Sequence, residues 1–195
     1  VKLWKRYGSY ILAAALLIVV GTGGYVVWQR QMEARRLEQS RTYQQALAFG
    51  PSKPDEALAA LKALDGGSGP YAMLARFQEA ALKAKQGDTA GALAVYDALA
   101  RDSGVGPVYR DAATILYAML ALDSEDPKAV MDRLRPLTGP SSPWRHSALE
   151  LTGLAAQRAG DADRAKEIFT ALSEDREAPA AMRSRAAQIL AGLQG

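Results

Sequence analysis

Two side chains that often carry out catalysis, cysteine and histidine, are scarce in this 195-residue chain. It contains no cysteine and one histidine, His146, which follows Arg145. Without cysteine the chain has no disulfides, thiolate metal sites or cysteine nucleophiles, and one histidine cannot supply a two-histidine metal motif. We therefore expect His146 to be a surface or groove residue rather than a metal ligand or a general base.

The acidic and glycine-rich segments also lack the spacing of a catalytic site. Acidic clusters occur at 123–126 and 174–175. Both fall where turns between helices are expected, and Asp and Ser there commonly cap the next helix. Gly66-Gly67 is not followed by the Lys-Ser/Thr pair of a phosphate-binding loop. The sequence thus predicts no catalytic, cofactor or metal site, and a protein that is not an enzyme.

The net positive charge is confined to the N-terminal segment. Residues 1–41 hold seven Lys or Arg and two Asp or Glu, a net charge of +5, whereas residues 42–195 hold 17 and 19, a net charge of −2. The basic pI of about 9.2 therefore describes the N-terminal segment and not the larger part of the chain. Because that larger part has no basic run interleaved with aromatics, we expect no nucleic-acid partner.

An uncharged stretch of 21 residues runs from Gly8 to Trp28. A helix of this length spans about 31 Å, which is the thickness of the hydrocarbon core of a bilayer. Aromatic residues stand at its two ends, as in the aromatic belts of membrane helices: Trp4, Tyr7, Tyr10, Tyr25 and Trp28. The stretch predicts a single transmembrane helix that contacts membrane lipid through residues 8–28, within an anchor segment of residues 1–33.

Two other interpretations of this stretch fit the sequence less well. A buried core helix rarely runs so far without a charge, and a cleaved signal peptide would need a site such as 21–23, yet the apolar run continues through 25–28. Three basic residues precede the stretch and four follow within 15 residues, so the positive-inside rule leaves the orientation open. The anchor helix is expected to continue to about Ala48.

Proline recurs through the rest of the chain with a nearly constant period. The gaps between successive positions are 37, 36 and 36 residues. Each position precedes a run with helical apolar periodicity, and proline suits the first turn of a helix because its missing N–H is not needed there. The four prolines are Pro70, Pro107, Pro143 and Pro179.

A second marker, alanine, repeats in phase with proline at gaps of 35, 37 and 36 residues. Four residues after each alanine stands a large apolar or aromatic residue, except in the third repeat, where Arg133 breaks the pattern. Gly87-Asp88 and Gly160-Asp161 join the helices of two pairs, with glycine ending one helix and aspartate capping the next. The pattern predicts helical hairpins with a small residue where the helices cross. The alanines are Ala57, Ala92, Ala129 and Ala165, and the large residues are Leu61, Tyr96 and Phe169.

These hairpins resemble the tetratricopeptide repeat (TPR), whose usual period is 34 residues. The fourth repeat is the closest match, through Leu149, Gly153, 160–161, Ala165 and Phe169. The predicted fold is all-α: the N-terminal transmembrane helix, then a TPR-like helical-hairpin solenoid over 34–195 that ends in a capping helix. The predicted pairs are 34–48 with 54–64, 70–86 with 89–101, 107–122 with 127–135, and 143–159 with 162–172, followed by the cap 180–193.

The first helix of each TPR pair lines the concave face, and this suggests a peptide-binding groove. A lining that is small and partly apolar would suit an extended or helical peptide. A phase error of one residue would instead place Leu74 and Phe77 in the core. Phased on Gly153, the groove would contain Leu74, Phe77, Ala81 and Lys85, then Asp111, Thr114 and Ala118, and then Ser147, Glu150, Leu154, Gln157 and Arg158.

The order of segments resembles a known bacterial family. The segments 4–8, 25–28, 43–46 and 70–75 together resemble the ancillary Sec-translocon subunits, which are membrane-anchored TPR-like proteins. The resemblance implies a single-pass inner-membrane protein with a cytoplasmic N-terminus and a periplasmic C-terminal domain. It further implies association with the Sec translocon and with periplasmic chaperones or client chains, and it supplies no catalytic residues.

The sequence therefore predicts a membrane-tethered interaction scaffold, an accessory of the Sec translocon. Tethering raises the local concentration of weakly bound partners. The alternative is a TPR assembly factor of another envelope complex, in cytochrome c maturation or outer-membrane protein insertion. The identity of the partner and the oligomeric state are not evident from the sequence.

Overall fold

The computed structural model describes the backbone of residues 2–50, 52–67 and 69–194, and the side chains of 17, 18, 20–50, 52–67 and 69–193. Every regular element in these ranges is helical, so the predicted all-α class is confirmed. The α-helices are α1 (Lys2–Phe49), α2 (Pro54–Asp65), α3 (Pro70–Lys85), α4 (Thr89–Arg101), α5 (Pro107–Ala121), α6 (Pro127–Leu134), α7 (Arg145–Arg158), α8 (Ala162–Glu174) and α9 (Ala180–Gln194).

The chain divides into two compact units, Val1–Ala60 and Leu61–Gly195. Helix α1 is continuous to Phe49, so the predicted boundary after residue 33 lies inside a helix. The predicted first repeat, 34–64, spans the division between the units. Each unit is therefore described by itself.

The first unit consists mainly of α1. Its described part carries exposed apolar side chains, including Leu17, Ile18, Val20 and Trp28. Nowhere in the described residues is a helix both long enough and apolar enough to cross a membrane. The side chains of residues 8–16 and 19, which belong to the predicted span, lie outside the described part.

Local sequence signals explain where the helices of the second unit begin. The carboxylates of Asp88 and Asp161 cap α4 and α8 by accepting backbone N–H groups three residues on, at 2.9 and 3.1 Å. Gly87 and Gly160, which precede them, have φ of 82° and 76°, a left-handed conformation that favours glycine after a helix. The predicted glycine–aspartate junctions are therefore confirmed.

Every helix of the second unit begins and ends within two residues of its predicted position. α6 ends at Leu134 and continues only as a 3-10 helix, Arg135–Leu137, because Pro136 lacks the N–H that another α-helical turn needs. α7 begins at Arg145 and not at 143, with Trp144 at its N-cap position.

Consecutive helices from α3 to α9 pack against one another, and α5 also packs against α7. This is the arrangement of stacked hairpins, in which first helices of adjacent hairpins are neighbours. The core between them is filled by large side chains that are almost fully buried: Leu99, Val130, Leu134, Phe169 and Leu172.

Candidate functional site

The fourth hairpin is built on the close approach of Gly153 to Phe169. A Cβ atom placed on Gly153 would lie 2.8 Å from Cζ of Phe169, closer than carbon atoms can pack. Phe169 and the neighbouring Ala165 are fully buried. The backbone of α7 can therefore reach the ring on α8 only because residue 153 has no side chain. Ala165, the small residue that the sequence pattern placed at the crossing, is also fully buried.

The second hairpin has the same arrangement with different residues. Ala80 stands at the position of Gly153, and Tyr96 stands at the position of Phe169; both are buried. The ring of Phe77 lies 6.3 Å from that of Tyr96 at an interplanar angle of 53°, and burial raises the pKa of the Tyr96 hydroxyl. Phe77 is half buried and packs against the core.

The third hairpin replaces the small and aromatic pair with two large side chains. Tyr117 takes the place of the small residue, and the guanidinium carbon of Arg133 lies 3.7 Å from the centre of its ring, a cation–π contact. Nη1 of Arg133 also donates to Oδ1 of Asp97 on α4, at 2.8 Å. The irregularity in the sequence at Arg133 is thus a polar joint between α4, α5 and α6.

The hydroxyl of Tyr117 donates to the carboxylate of Glu125 in the turn after α5. Partial burial raises the pKa of Tyr117, and the hydrogen bond to Glu125 raises it further. The polar joint therefore also fixes the position of the turn after α5. Glu125 was predicted only as part of a capping cluster, and the contact is one that the sequence analysis missed.

Several side-chain contacts between hairpins join residues one repeat apart. The indole N–H of Trp144 donates to the carbonyl of Val108 at 3.2 Å, and these residues are 36 positions apart. Arg158 donates to the carbonyl of Leu122, again 36 positions away. The period found in the sequence therefore reappears as physical contacts between equivalent positions of neighbouring hairpins.

The predicted groove residues have different environments. Lys85, Gln157 and Arg158 are exposed, and Ala118 is fully buried. The carboxylate of Glu150 accepts hydrogen bonds from Nε of Arg185 on α9 at 2.8 Å and from Nη2 of the same residue at 3.0 Å, so it is already paired. The other predicted positions are half buried: Leu74, Phe77, Ala81, Asp111, Thr114, Ser147 and Leu154.

Three of the predicted residues come together in one cleft of about 330 Å³. Leu154, Gln157 and Arg158 line it with Leu122 and Asp123. The cleft lies where α5 and α7 end, and it combines two leucines with an amide, a carboxylate and a guanidinium. Such a mixture of apolar and polar groups can bind a peptide side chain together with its backbone.

Arg158 has a structural part in this cleft that the sequence analysis did not foresee. Its Nη1 donates to the carbonyl oxygens of Leu122 and Glu125. Carbonyls at the end of a helix lack partners within the helix, and a basic side chain is one of the groups that can satisfy them. Arg158 therefore joins the end of α7 to the end of α5.

A larger cavity of about 490 Å³ lies at the starts of α3 and α5, with Met73, Val105 and Tyr109 in its lining. Arg76 lies in it between two carboxylates, 3.6 Å from Asp65 and 2.7 Å from Asp102. The hydrogen bond from Arg76, followed by that from the backbone N–H of residue 104, lowers the pKa of Asp102. Sequence reasoning missed this site.

The sequence does contain a signal for the site around Arg76, because an aspartate stands at the C-terminal end of the second helix in several hairpins. Asp175 follows Asp102 by two repeats, and each accepts a backbone N–H two residues on, at 2.9 Å. Nε2 of His146 lies 3.2 Å from Oδ2 of Asp175, and Nη2 of Arg145 lies 2.9 Å from the same oxygen. His146 is half buried beside this aspartate.

The pKa of Asp175 is lowered, first by the backbone N–H of Glu177 and then by the hydrogen bond of His146 and the charge of Arg145. Within the described residues, no group of three or more His, Cys, Asp or Glu side chains could hold a metal ion. What the second unit presents is a set of clefts with apolar linings and charged edges, which can bind segments of other proteins.

Comparison with curated proteins finds no match to this sequence. A family model described as a tetratricopeptide repeat-like domain matches residues 2–189. That match covers nearly the whole chain and agrees with the stacked hairpins and their small-residue crossings. The chain therefore belongs to the tetratricopeptide repeat-like domain family.

Proposed function

We propose that this protein is a protein–protein interaction scaffold that is held at a membrane by its N-terminal helix. The observation that carries the scaffold is the stack of helical hairpins, whose clefts combine apolar and charged side chains in a family of repeat domains. Repeat domains of this kind present an extended surface to their partners.

The exposed surface of α1 supports the tether. Leu17, Ile18, Val20, Val27 and Trp28 have between 57% and 73% of their surface exposed. Apolar side chains so closely spaced point to several sides of a helix, and such a helix is stable when lipid or another protein covers it. We assign lipid of the inner membrane to residues 8–28, with the C-terminal domain in the periplasm.

The resemblance to ancillary Sec-translocon subunits supports a finer assignment. In it, the repeats hold periplasmic chaperones or client chains close to the translocon. Membership in the repeat family is equally compatible with an assembly factor of another envelope complex, in cytochrome c maturation or outer-membrane protein insertion. The two candidates differ in the proteins that contact the repeats.

Site-specific photo-crosslinking in cells tests the scaffold. A benzoylphenylalanine at Gln157, in the cleft at the ends of α5 and α7, is compared with one at Ala98, which is exposed on α4. Products with translocon subunits or chaperones at Gln157 alone support the Sec assignment, and products with another envelope complex support the second candidate. Absence of any protein product at both positions overturns the scaffold.

Protease treatment of spheroplasts tests the tether and its orientation separately. Degradation of the C-terminal domain without lysis, together with recovery of the chain in the membrane fraction, is expected. A chain that is protected until lysis would overturn the periplasmic assignment. A chain that is released by washing with carbonate would overturn the membrane span.

A further inference from the structure

A groove of about 460 Å³ runs between α6 and α8, the second helices of two neighbouring hairpins. It is separate from the predicted groove, which used the first helices. We propose that this groove binds a short segment of a partner protein in which apolar residues stand beside carboxylates. The proposal rests on the scaffold function and names the partner chemistry for one surface of it.

The groove exists because α6 is short. α6 has eight residues, whereas α4 and α8 have 13 each. At a rise of 1.5 Å per residue, about 7 Å of helix is missing beside α8. Pro136 ends the helix. This shortening, which is local to the third hairpin, leaves the side of α8 uncovered.

The floor of the groove is apolar. Met131 is buried, and Leu149 and Ile168 are half buried. The hydroxyl of Thr152, which also lines the floor, donates to the carbonyl of Ala148 at 2.7 Å, so its proton is not available to a partner. Because this floor presents hydrocarbon to solvent, covering it with apolar side chains would be favourable.

The charged side chains around the groove carry an excess of one positive charge. Lys128, Arg135 and Arg164 line it against Asp132 and Glu167. Asp132 is shared between Lys128 at 3.3 Å and Arg135 at 4.0 Å, so one carboxylate serves two cations.

The third cation is available to a partner. Within the described residues, no carboxylate pairs with the guanidinium of Arg164. Residues 42–195 as a whole have a net charge of −2, so a positive rim is a local departure from the rest of the domain. Charge complementarity therefore favours a segment with carboxylates over a basic one.

The size of the groove fits this partner class. A volume near 460 Å³ lies within the range of pockets that bind ligands, and it would hold a few side chains rather than a folded domain. An extended or short helical segment can place apolar side chains on the floor while its carboxylates meet the rim.

Fluorescence polarisation with two labelled peptides tests the proposal on the full chain. The probes are Gly-Asp-Leu-Leu-Glu-Gly and Gly-Lys-Leu-Leu-Lys-Gly, which share their apolar residues and carry two charges of opposite sign. We expect the acidic peptide to bind at least five-fold more tightly in 50 mM NaCl, with the difference shrinking in 500 mM NaCl because salt screens exposed charges. Equal binding of the two peptides overturns the proposal.

Charge variants locate the binding to the groove. Arg164→Glu should weaken the acidic peptide about five-fold, and Glu167→Lys should strengthen it by a similar factor, since each changes the rim by two charges. Arg176→Glu makes the same charge change in the turn after α8, outside the groove, and serves as the matched control. If Arg176→Glu weakens binding as much as Arg164→Glu does, the proposed site is wrong.

A steric variant separates the floor from the rim. Ala171 lines the groove and is exposed, so Ala171→Trp should fill the groove without disturbing the core. We expect a loss of peptide binding of ten-fold or more, with an unchanged circular dichroism spectrum. Unchanged binding in this folded variant overturns the proposal.

Crosslinking in cells distinguishes a failure of this proposal from a failure of the scaffold. A benzoylphenylalanine at Ile168 should capture a protein, and the captured segment, identified by mass spectrometry, should contain Asp or Glu beside apolar residues. Products from Gln157 without products from Ile168 would overturn the groove and leave the scaffold standing. A captured segment without acidic residues would also overturn it.

Discussion

Replacing Gly153 with alanine tests the packing on which the fourth hairpin depends. Three ring atoms of Phe169 lie within 3.1 Å of the position that a Cβ on residue 153 would take, the nearest of them, Cζ, at 2.8 Å. The ring is fully buried, so it cannot relieve the clash by moving into solvent. The variant therefore either pushes the ring or separates α7 from α8.

Two effects of opposite sign determine the magnitude. Alanine is favoured over glycine inside a helix by about 1 kcal/mol. Against this, the carbon atoms must separate by roughly 0.8 Å to reach a normal contact, and overpacking of this kind costs about 1–3 kcal/mol. We expect a net loss of about 1 kcal/mol in the free energy of unfolding, or about 3 °C in Tm for a unit of this size.

Gly192 offers the matched control. It lies in α9, and nothing is within 4 Å of the position of its Cβ. Gly192→Ala should therefore stabilise the protein by up to about 1 kcal/mol, because helix propensity acts there without a clash. Thermal denaturation of the full chain, followed by circular dichroism, would measure both variants.

A double-mutant cycle with Phe169→Leu isolates the clash. Leucine lacks the ring atoms that an added Cβ would meet, so Gly153→Ala should become neutral or stabilising in that background. The coupling free energy between the two sites should then be about 2 kcal/mol. If Gly153→Ala stabilises the original chain as much as Gly192→Ala does, the close crossing of α7 and α8 is refuted.

Three further substitutions test other contacts. Arg133→Lys keeps the charge but weakens the stacking on Tyr117, and it should lower the free energy of unfolding by about 1 kcal/mol, measured by urea denaturation. Trp144→Phe removes the donor to the carbonyl of Val108 while keeping an aromatic ring, and a loss of about 1 kcal/mol in the same assay is expected. The lowered pKa of Asp175 means that its ionised form stabilises the fold above pH 4, and that this contribution is lost as the pH falls through its pKa in the folded state. Asp175→Asn should therefore lower Tm at pH 7, and the Tm of the variant should decrease less steeply than that of the original chain as the pH falls below about 5. An equally steep decrease in both proteins would contradict the role of this carboxylate.

Sequence reasoning succeeded where the structure depends on residues close together in the chain. Asp88 and Asp161 cap helices through N–H groups three residues away, and the glycines before them adopt left-handed turns. Gly153, Ala165 and Phe169 were also singled out as positions of the repeat signature, although the contact between Gly153 and Phe169 was not predicted. The caps and left-handed turns follow from local helix geometry alone.

The polar joint of the third hairpin was not predictable in the same way. In the second and fourth hairpins an aromatic residue stands at the position of Arg133 and a small residue at that of Tyr117, so both residues depart from the repeat pattern. Only their stacking, together with Asp97 on the preceding hairpin, shows that the exceptions compensate each other. The environment of Arg76, between carboxylates of two different hairpins, was hidden for the same reason.

The sequence by itself determined the all-α class, the period of about 36 residues and most helix ends, because these depend on propensity, capping and apolar spacing over a few residues. The tertiary structure decided which side chains meet between hairpins, how Arg158 joins α7 to α5, and where the shortened α6 leaves a groove beside α8. The physical reason is that the angle at which hairpins stack is set by the volumes of many side chains at once, and no local pattern contains that information.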